Sequence, residues 1–202
     1  FDILVNCTSF HKTDEVEMNA DKAFIINAKA VKIMAEICSK KNAKFADHMF
    51  TIQQIQAITG ARWLQQADNC TIQHLLLDSR RVMFAETSVF FALPGSTYNG
   101  HDFLPNLYRL GVRNFLISNE AAVNVSAYAQ ANFLLVNDTL LALQQVAAAH
   151  RRQFTLPVLG ITGSNGKTVV KEWLYQLLWQ DYHIVRSPKS YNSQVGVPLS
   201  VW

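Results

Sequence analysis

The sequence predicts an α/β protein built on parallel sheets, and three features carry that prediction. Short apolar runs of strand length alternate with segments whose apolar residues recur every three or four positions. Runs of this kind suit buried strands, and strands alternating with helices imply parallel pairing. A glycine-rich turn at 160–166 stands between one such run and a helical stripe, giving the order strand, turn, helix. Half of the 202 residues are hydrophobic, enough for a sizeable core. Eighteen basic against fifteen acidic residues leave a formal net charge of +3. That excess is too small and too scattered for a nucleic-acid or anionic-membrane partner.

The elements follow in order. Ile3-Leu4-Val5 reads as a buried strand. Asp21 to Lys41 reads as a packing helix, with Phe24, Ile25, Ala28, Val31, Met34, Ala35 and Cys38 on one face and Lys29, Lys32 and Glu36 off it. Near residue 48 the character changes. His48-Met49 precedes Phe50 to Ile55, where Thr51 caps a short helix ending at Gly60. A methionine before a fresh helix start reads as the beginning of a second protein, and a His-Met pair is also what a common cloning site leaves. An ordinary interdomain loop is the alternative. Ile72 to Leu77 and Ser88 to Leu93 read as strands, with Pro94-Gly95 as a turn after the second. Phe115 to Ile117 and Phe133 to Val136 are two more. Asp138 or Thr139 caps a helix that buries Leu140, Leu141, Leu143, Val146 and Ala147. Leu156 to Ile161 (strand), Lys167 to Trp179 (helix) and His183 to Val185 (strand) complete the chain.

Cys7, Cys38 and Cys70 are odd in number and widely spaced, which argues against a disulfide framework. Cys7 with His11 and Cys70 with His74 contain four zinc-ligand types. Both pairs begin in strand-like stretches, where residues four apart lie roughly 13 Å from each other. Idle thiols in a reducing cytoplasm are the expectation. No apolar run approaches the ~20 residues of a membrane span, and no signal peptide is visible.

The chemistry is concentrated in Val158-Leu159-Gly160-Ile161-Thr162-Gly163-Ser164-Asn165-Gly166-Lys167-Thr168. Phosphate oxygens need several backbone N–H donors converging on one point, and a helix start presents four unpaired ones. Glycines let the backbone bend around phosphates without a Cβ in the way. Gly163, Ser164, Asn165, Gly166, Lys167 and Thr168 are therefore the expected ATP-binding residues. Lys167 would reach the β- and γ-phosphates, and the Thr168 hydroxyl would be the Mg²⁺ ligand. The spacing departs from the common phosphate loop, because Ile161 stands where a first glycine is usual and Gly160 comes one residue early.

Thr-Gly-Ser-Asn-Gly-Lys-Thr at 162–168 resembles the ATP loop of the Mur ligases, whose form of the loop also lacks the early glycine. Asp78-Ser79-Arg80-Arg81-Val82, Val89 to Gly95 and Asn99-Gly100-His101-Asp102-Phe103 resemble that family's N-terminal domain, although the family usually has Asp where Asn99 stands. Tyr191 to Pro198 resembles the segment after the first ATPase helix of the D-alanyl-D-alanine-adding branch. The resemblance spans residues 50–202. It implies a small N-terminal α/β domain for the UDP-linked substrate at 49–152, followed at 153–202 by the beginning of a parallel-sheet ATPase domain. It also implies an ATP- and Mg²⁺-dependent amide ligase acting through an acyl phosphate, with UDP-N-acetylmuramoyl-peptide and D-alanyl-D-alanine as partners. Ser79 and Arg80 would grip the nucleotide-sugar, and Asn192 would line the substrate side of the ATP cleft. Against this stands the plainer reading of Asp-Ser-Arg as a capped, solvated turn.

Residues 1–45 resemble a different family, the extended short-chain dehydrogenases, in the middle of a dTDP-4-dehydrorhamnose reductase. The resemblance lies in Phe1 to Phe10, Asp14 to Glu17 and Ala23 to Ala28. This strand–helix piece (domain bounds 1–48) lacks the dinucleotide turn and the Tyr-x-x-x-Lys pair, so no reductase activity is expected of it. The chain thus reads as an incomplete ligase preceded by a foreign fragment, inactive in ligation by itself. The alternative is a non-catalytic chimera in which the reductase piece packs on the ATPase strands. Open edges of a half-built sheet also imply self-association.

Overall fold

A computed structural model of the protein describes residues 3–7, 49–95, 98–188, 191 and 193–202. The helix expected over 21–41, His11 and the His48 junction lie outside the described residues. The chain divides into two compact units. One is His48–Arg151 with Trp202, and the other joins Arg152–Val201 to the N-terminal strand.

The first unit opens with β2 (Phe50–Thr51) and α1 (Ile52–Thr59); β1 (Ile3–Cys7) belongs to the other unit. Thr51 caps α1 in a reciprocal box with Gln54, and Gly60 closes it in the left-handed conformation at φ 64°, as the sequence predicts. Then come β3 (Arg62–Gln65), β4 (Thr71–Ile72), β5 (His74–Leu76), β6 (Ser88–Phe91), α2 (Leu104–Arg109), β7 (Asn114–Ile117), β8 (Asn132–Leu135) and α3 (Thr139–Arg152). Five strands form one sheet in the order β3-β8-β7-β6-β5. Strands β5 to β8 are parallel, and β3 runs antiparallel at one edge.

The continuous apolar runs lie in the middle of this sheet because each buries side chains on both faces. Val89, Phe90, Phe91, Phe115, Leu116, Ile117, Phe133 and Leu134 are all buried. Phe115 sits opposite Phe133 in register, and their rings stack at 4.9 Å. One residue earlier on each strand, buried Asn114 lies opposite buried Asn132. Asn132 Nδ2 donates to Asn114 Oδ1 at 2.8 Å and to the Asp68 carbonyl at 2.9 Å, while its Oδ1 accepts from the Ala67 N–H. Asn114 Nδ2 donates to the Ser88 carbonyl, and the Cys70 thiol donates to Asn114 Oδ1. The oxygen and the nitrogen of each amide are engaged, which is what makes their burial tolerable.

Two sequence expectations need correction, and one strand lies outside them. The strand expected over Ile72 to Leu77 is two strands, because the chain changes partner at Gln73. Ile72 pairs antiparallel with Phe50, His74 pairs in parallel with Ser88, and the Gln73 and His74 N–H groups both donate to the Thr87 carbonyl. Leu141 is exposed and Leu140 only partly buried, where both were expected inside. The inward face of α3 is Thr139, Ala142, Leu143, Val146, Ala147 and His150, and Leu141 falls off it. Strand β3 was not anticipated, since Arg62-Trp63-Leu64-Gln65 shows neither an apolar run nor alternation.

The second unit contains β9 (Val158–Ile161), α4 (Lys167–Leu178), β10 (Ile184–Arg186) and α5 (Gly196–Val201). Its sheet is parallel, in the order β10-β1-β9. Leu174 and Leu178 of α4 pack with Ile161, joined by Leu159, Val170, Tyr182 and Ile184.

Candidate functional site

The turn between β9 and α4 is shaped by two glycines with positive φ. Gly163 has φ +149° and Gly166 φ +77°, backbone states that glycine adopts without Cβ strain. A Cβ built at Gly166 would meet no atom within 4 Å, so glycine is there for its backbone and not to avoid a clash. Gly166 is the N-cap of the twelve-residue helix α4 and, lacking a side chain, gives the first turn no side-chain cap. A helix start of this kind presents backbone N–H groups that an anion can take. Lys167 opens the helix, and its Nζ donates to the Gly163 carbonyl and, at 3.3 Å, to the Ser164 carbonyl. Gly163 to Thr168 are thus brought together around one helix start, and the donor set suits the phosphates of a nucleotide.

Four residues along α4 lies a buried lysine that the sequence reading does not single out. Lys171 is fully buried, and its Nζ donates to the Ser187 carbonyl at 2.8 Å and lies 3.2 Å from Glu172 Oε1. The other carboxylate oxygen of Glu172 pairs with Arg186, whose guanidinium stacks 4.1 Å over Tyr175. A signal was present in the spacing. Lys171, Leu174 and Leu178 fall at steps of three and four, which puts the lysine on the buried stripe.

In the other unit, Ser79 and Arg80 lie on a single 3-10 turn, Ser79–Arg81, capped by Asp78. The Arg80 side chain is largely exposed and makes a two-pronged pair with Asp78, Nε to Oδ1 at 2.9 Å and Nη2 to Oδ2 at 2.8 Å. The Asp78 carboxylate holds the Arg80 pKa above its ordinary value, chiefly through that hydrogen bond. Asn192 lies outside the described residues. Of the cysteine–histidine pairs, Cys70 binds Asn114 and His74 stacks on Phe84 at 4.6 Å.

A second bracket is built on Asn99 and His101. Asn99 Oδ1 accepts from the His101 N–H and lies 2.7 Å from His101 Nδ1. His101 Nε2 accepts from the Ser118 and Asn119 N–H groups at 3.2 and 3.3 Å. The ring must therefore carry its proton on Nδ1 and be neutral. Gly100, between them, has no room for a side chain, since a Cβ would come within 2.7 Å of the Ala92 and Leu93 backbone.

Residues 71–151 match the Mur ligase family, catalytic domain. This part of the chain is a Mur ligase family domain. The chain is 33% identical over 135 residues to the UDP-N-acetylmuramoyl-tripeptide–D-alanyl-D-alanine ligase of Synechocystis, covering 67% of this chain and 29% of that protein. The Bacillus subtilis ligase of the same name is 30% identical over 152 residues, 75% of this chain and 32% of the relative. Among solved structures, the D-alanyl-D-alanyl ligase of Acinetobacter baumannii superposes with a TM-score of 0.67 at 29% identity, over 79% of this chain and 34% of its own. A MurF ligase of Thermotoga maritima in complex with ADP gives 0.56 at 32%, over 64% and 28%. The chain spans about a third of the length of these relatives. Residues 1–51 match a different description, the RmlD substrate binding domain.

Within the Mur ligase domain, the His101 bracket makes a pH-dependent prediction. Burial, opposed by the nearby Asp102 charge, lowers the His101 pKa below its ordinary 6.5. The unfolded chain therefore binds the proton more readily, so His101 contributes stability above that value and loses it as pH falls. Protonation would also turn Nε2 into a donor facing two donors. Between pH 7 and 5, the unfolding midpoint of the parent should fall more steeply than that of His101→Gln, as followed by circular dichroism.

Proposed function

We propose that this chain supplies the nucleotide-handling part of an ATP-dependent amide ligase that adds D-alanyl-D-alanine to UDP-N-acetylmuramoyl-tripeptide. The observation that carries the reading is the start of α4, a twelve-residue helix entered through left-handed Gly166 with Lys167 beside it and no capping side chain. Residues 163–168 would hold ATP, through first-turn amides and the Lys167 ammonium, and Thr168 would be a ligand of Mg²⁺. Bound Mg·ATP supplies the phosphoryl group that turns a substrate carboxylate into an acyl phosphate, from which an incoming amine displaces phosphate. Lys167 would balance the charge on the transferring group. In this reading residues 49–152 are the UDP-substrate domain, with Ser79 and Arg80 on the nucleotide-sugar, and 153–202 begin the ATPase domain, with Asn192 on its substrate side. ATP and a UDP-linked precursor are cytoplasmic metabolites, which supports a cytoplasmic site of action.

Thermal unfolding with and without ligands tests this. Mg·ATP at ~100 times its dissociation constant should add about 2.7 kcal/mol to the unit that binds it. A UDP-sugar should do the same for the other unit. If saturating Mg·ATP leaves the unfolding curve unchanged, the ligase reading of the loop is rejected. A second reading, a chimera whose ligase motifs record descent only, is favoured by the place of β1 inside the β9–β10 sheet. It requires that neither ligand stabilise the chain.

A further inference from the structure

Strands β9 and β10 are joined through α4 but are not neighbours, so their crossover leaves a slot one strand wide. The strand that fills it, β1, comes from the other end of the chain, from the segment that matches the RmlD substrate binding domain. Its pairing is extensive on both edges. Leu4 to Cys7 lie opposite Val158 to Ile161, and Ile3 to Val5 lie opposite Ile184 to Arg186. Cys7 ends opposite Ile161, the last residue of β9 before the phosphate turn. In a parallel ladder, successive residues of a central strand bond alternately to the two neighbours, so backbone donors along β1 are committed to one side or the other. Among the described residues β1 is the only strand that pairs with β9.

A phosphate turn works only if its amides converge on one point, and that depends on the strand entering it as much as on the helix leaving it. We propose that Ile3–Cys7 is a positioning element of the nucleotide site: it holds β9 in line and so sets the shape of residues 162–166. This inference rests on the nucleotide reading above. It assigns a role to a segment that carries no ligase motif, and coupling of this kind is reciprocal, so nucleotide in the turn should in return steady β1.

The test uses the full chain carrying Asn6→Pro, which removes a ladder donor from a central strand, beside Asn6→Thr, which keeps it. Hydrogen exchange and Mg·ATP titration are read together. In Asn6→Pro, amides of β9 and β10 should lose protection, those of β6 and β7 should keep theirs, and Mg·ATP affinity should drop roughly tenfold or more. Asn6→Thr should behave as the parent, in which Mg·ATP should slow exchange at residues 3–7. A proline variant that binds Mg·ATP as the parent does, with β9 still protected, overturns the inference alone. A parent that gains nothing from Mg·ATP overturns the nucleotide reading and the inference with it.

Discussion

Lys167→Ala is expected to weaken Mg·ATP binding by about a hundredfold or more while leaving the unliganded chain nearly as stable as before. The loss corresponds to the ~2–5 kcal/mol typical when one member of a close charged pair is removed. In the unliganded protein the half-buried ammonium donates to the Gly163 and Ser164 carbonyls, both on the turn itself. Such contacts contribute about 1 kcal/mol net, so the melting curve without ligand should shift little. The measurements are calorimetric titration and unfolding of the same two proteins. If unliganded stability and affinity fall together, Lys167 is a structural brace and not a phosphate contact.

Lys171→Ala should show the opposite pattern, a large loss of stability in the β9–α4–β10 unit before any ligand is added. Two effects add. The buried Ser187 carbonyl loses its donor, at about 1–3 kcal/mol, and the vacated stem leaves a cavity costing roughly 2 kcal/mol more. Lys171→Met keeps the stem and should lose only the first part. Hydrogen exchange of β9 and α4 amides reads this unit alone, which a single melting temperature for a two-unit chain would not. Equal destabilisation by Ala and Met would mean that packing contributes nothing. No destabilisation by Met would mean that the ammonium's contacts are cancelled by its desolvation.

What the sequence made legible was local. The turn at 163–168 is contiguous, and each of its residues has one physical reason to be there. The same holds for Thr51 and Gly60 at the ends of α1, and for the apolar runs that became β6, β7 and β8. The features that escaped depend on partners distant in the chain. Nothing between Ile72 and Leu77 signals that Phe50 takes one end and Ser88 the other. Arg62 to Gln65 becomes a strand because β8 offers an edge, not because of its own pattern. The capped turn at Asp78-Ser79-Arg80, the plainer of the two readings of that motif, is local and is present, with Arg80 bonded to Asp78. That the N-terminal piece packs on the strands around the turn is an expectation their open edges allow; that β1 sits between β9 and β10 is not, since the chain does not announce which strand will occupy a crossover gap.

The Asn114–Asn132 pair has a consequence for how the larger sheet reaches a unique arrangement. Four neighbouring parallel strands rich in Phe, Leu, Ile and Val could slide past one another with little loss of apolar contact. A shift of one step would carry each asparagine away from its partners and leave several amide groups unpaired in a dry interior, at about 1–3 kcal/mol for each. The two side chains act as a key that fits one alignment only. Because parallel pairing joins residues far apart in the chain and forms slowly, such a key is of most use while the sheet is still assembling.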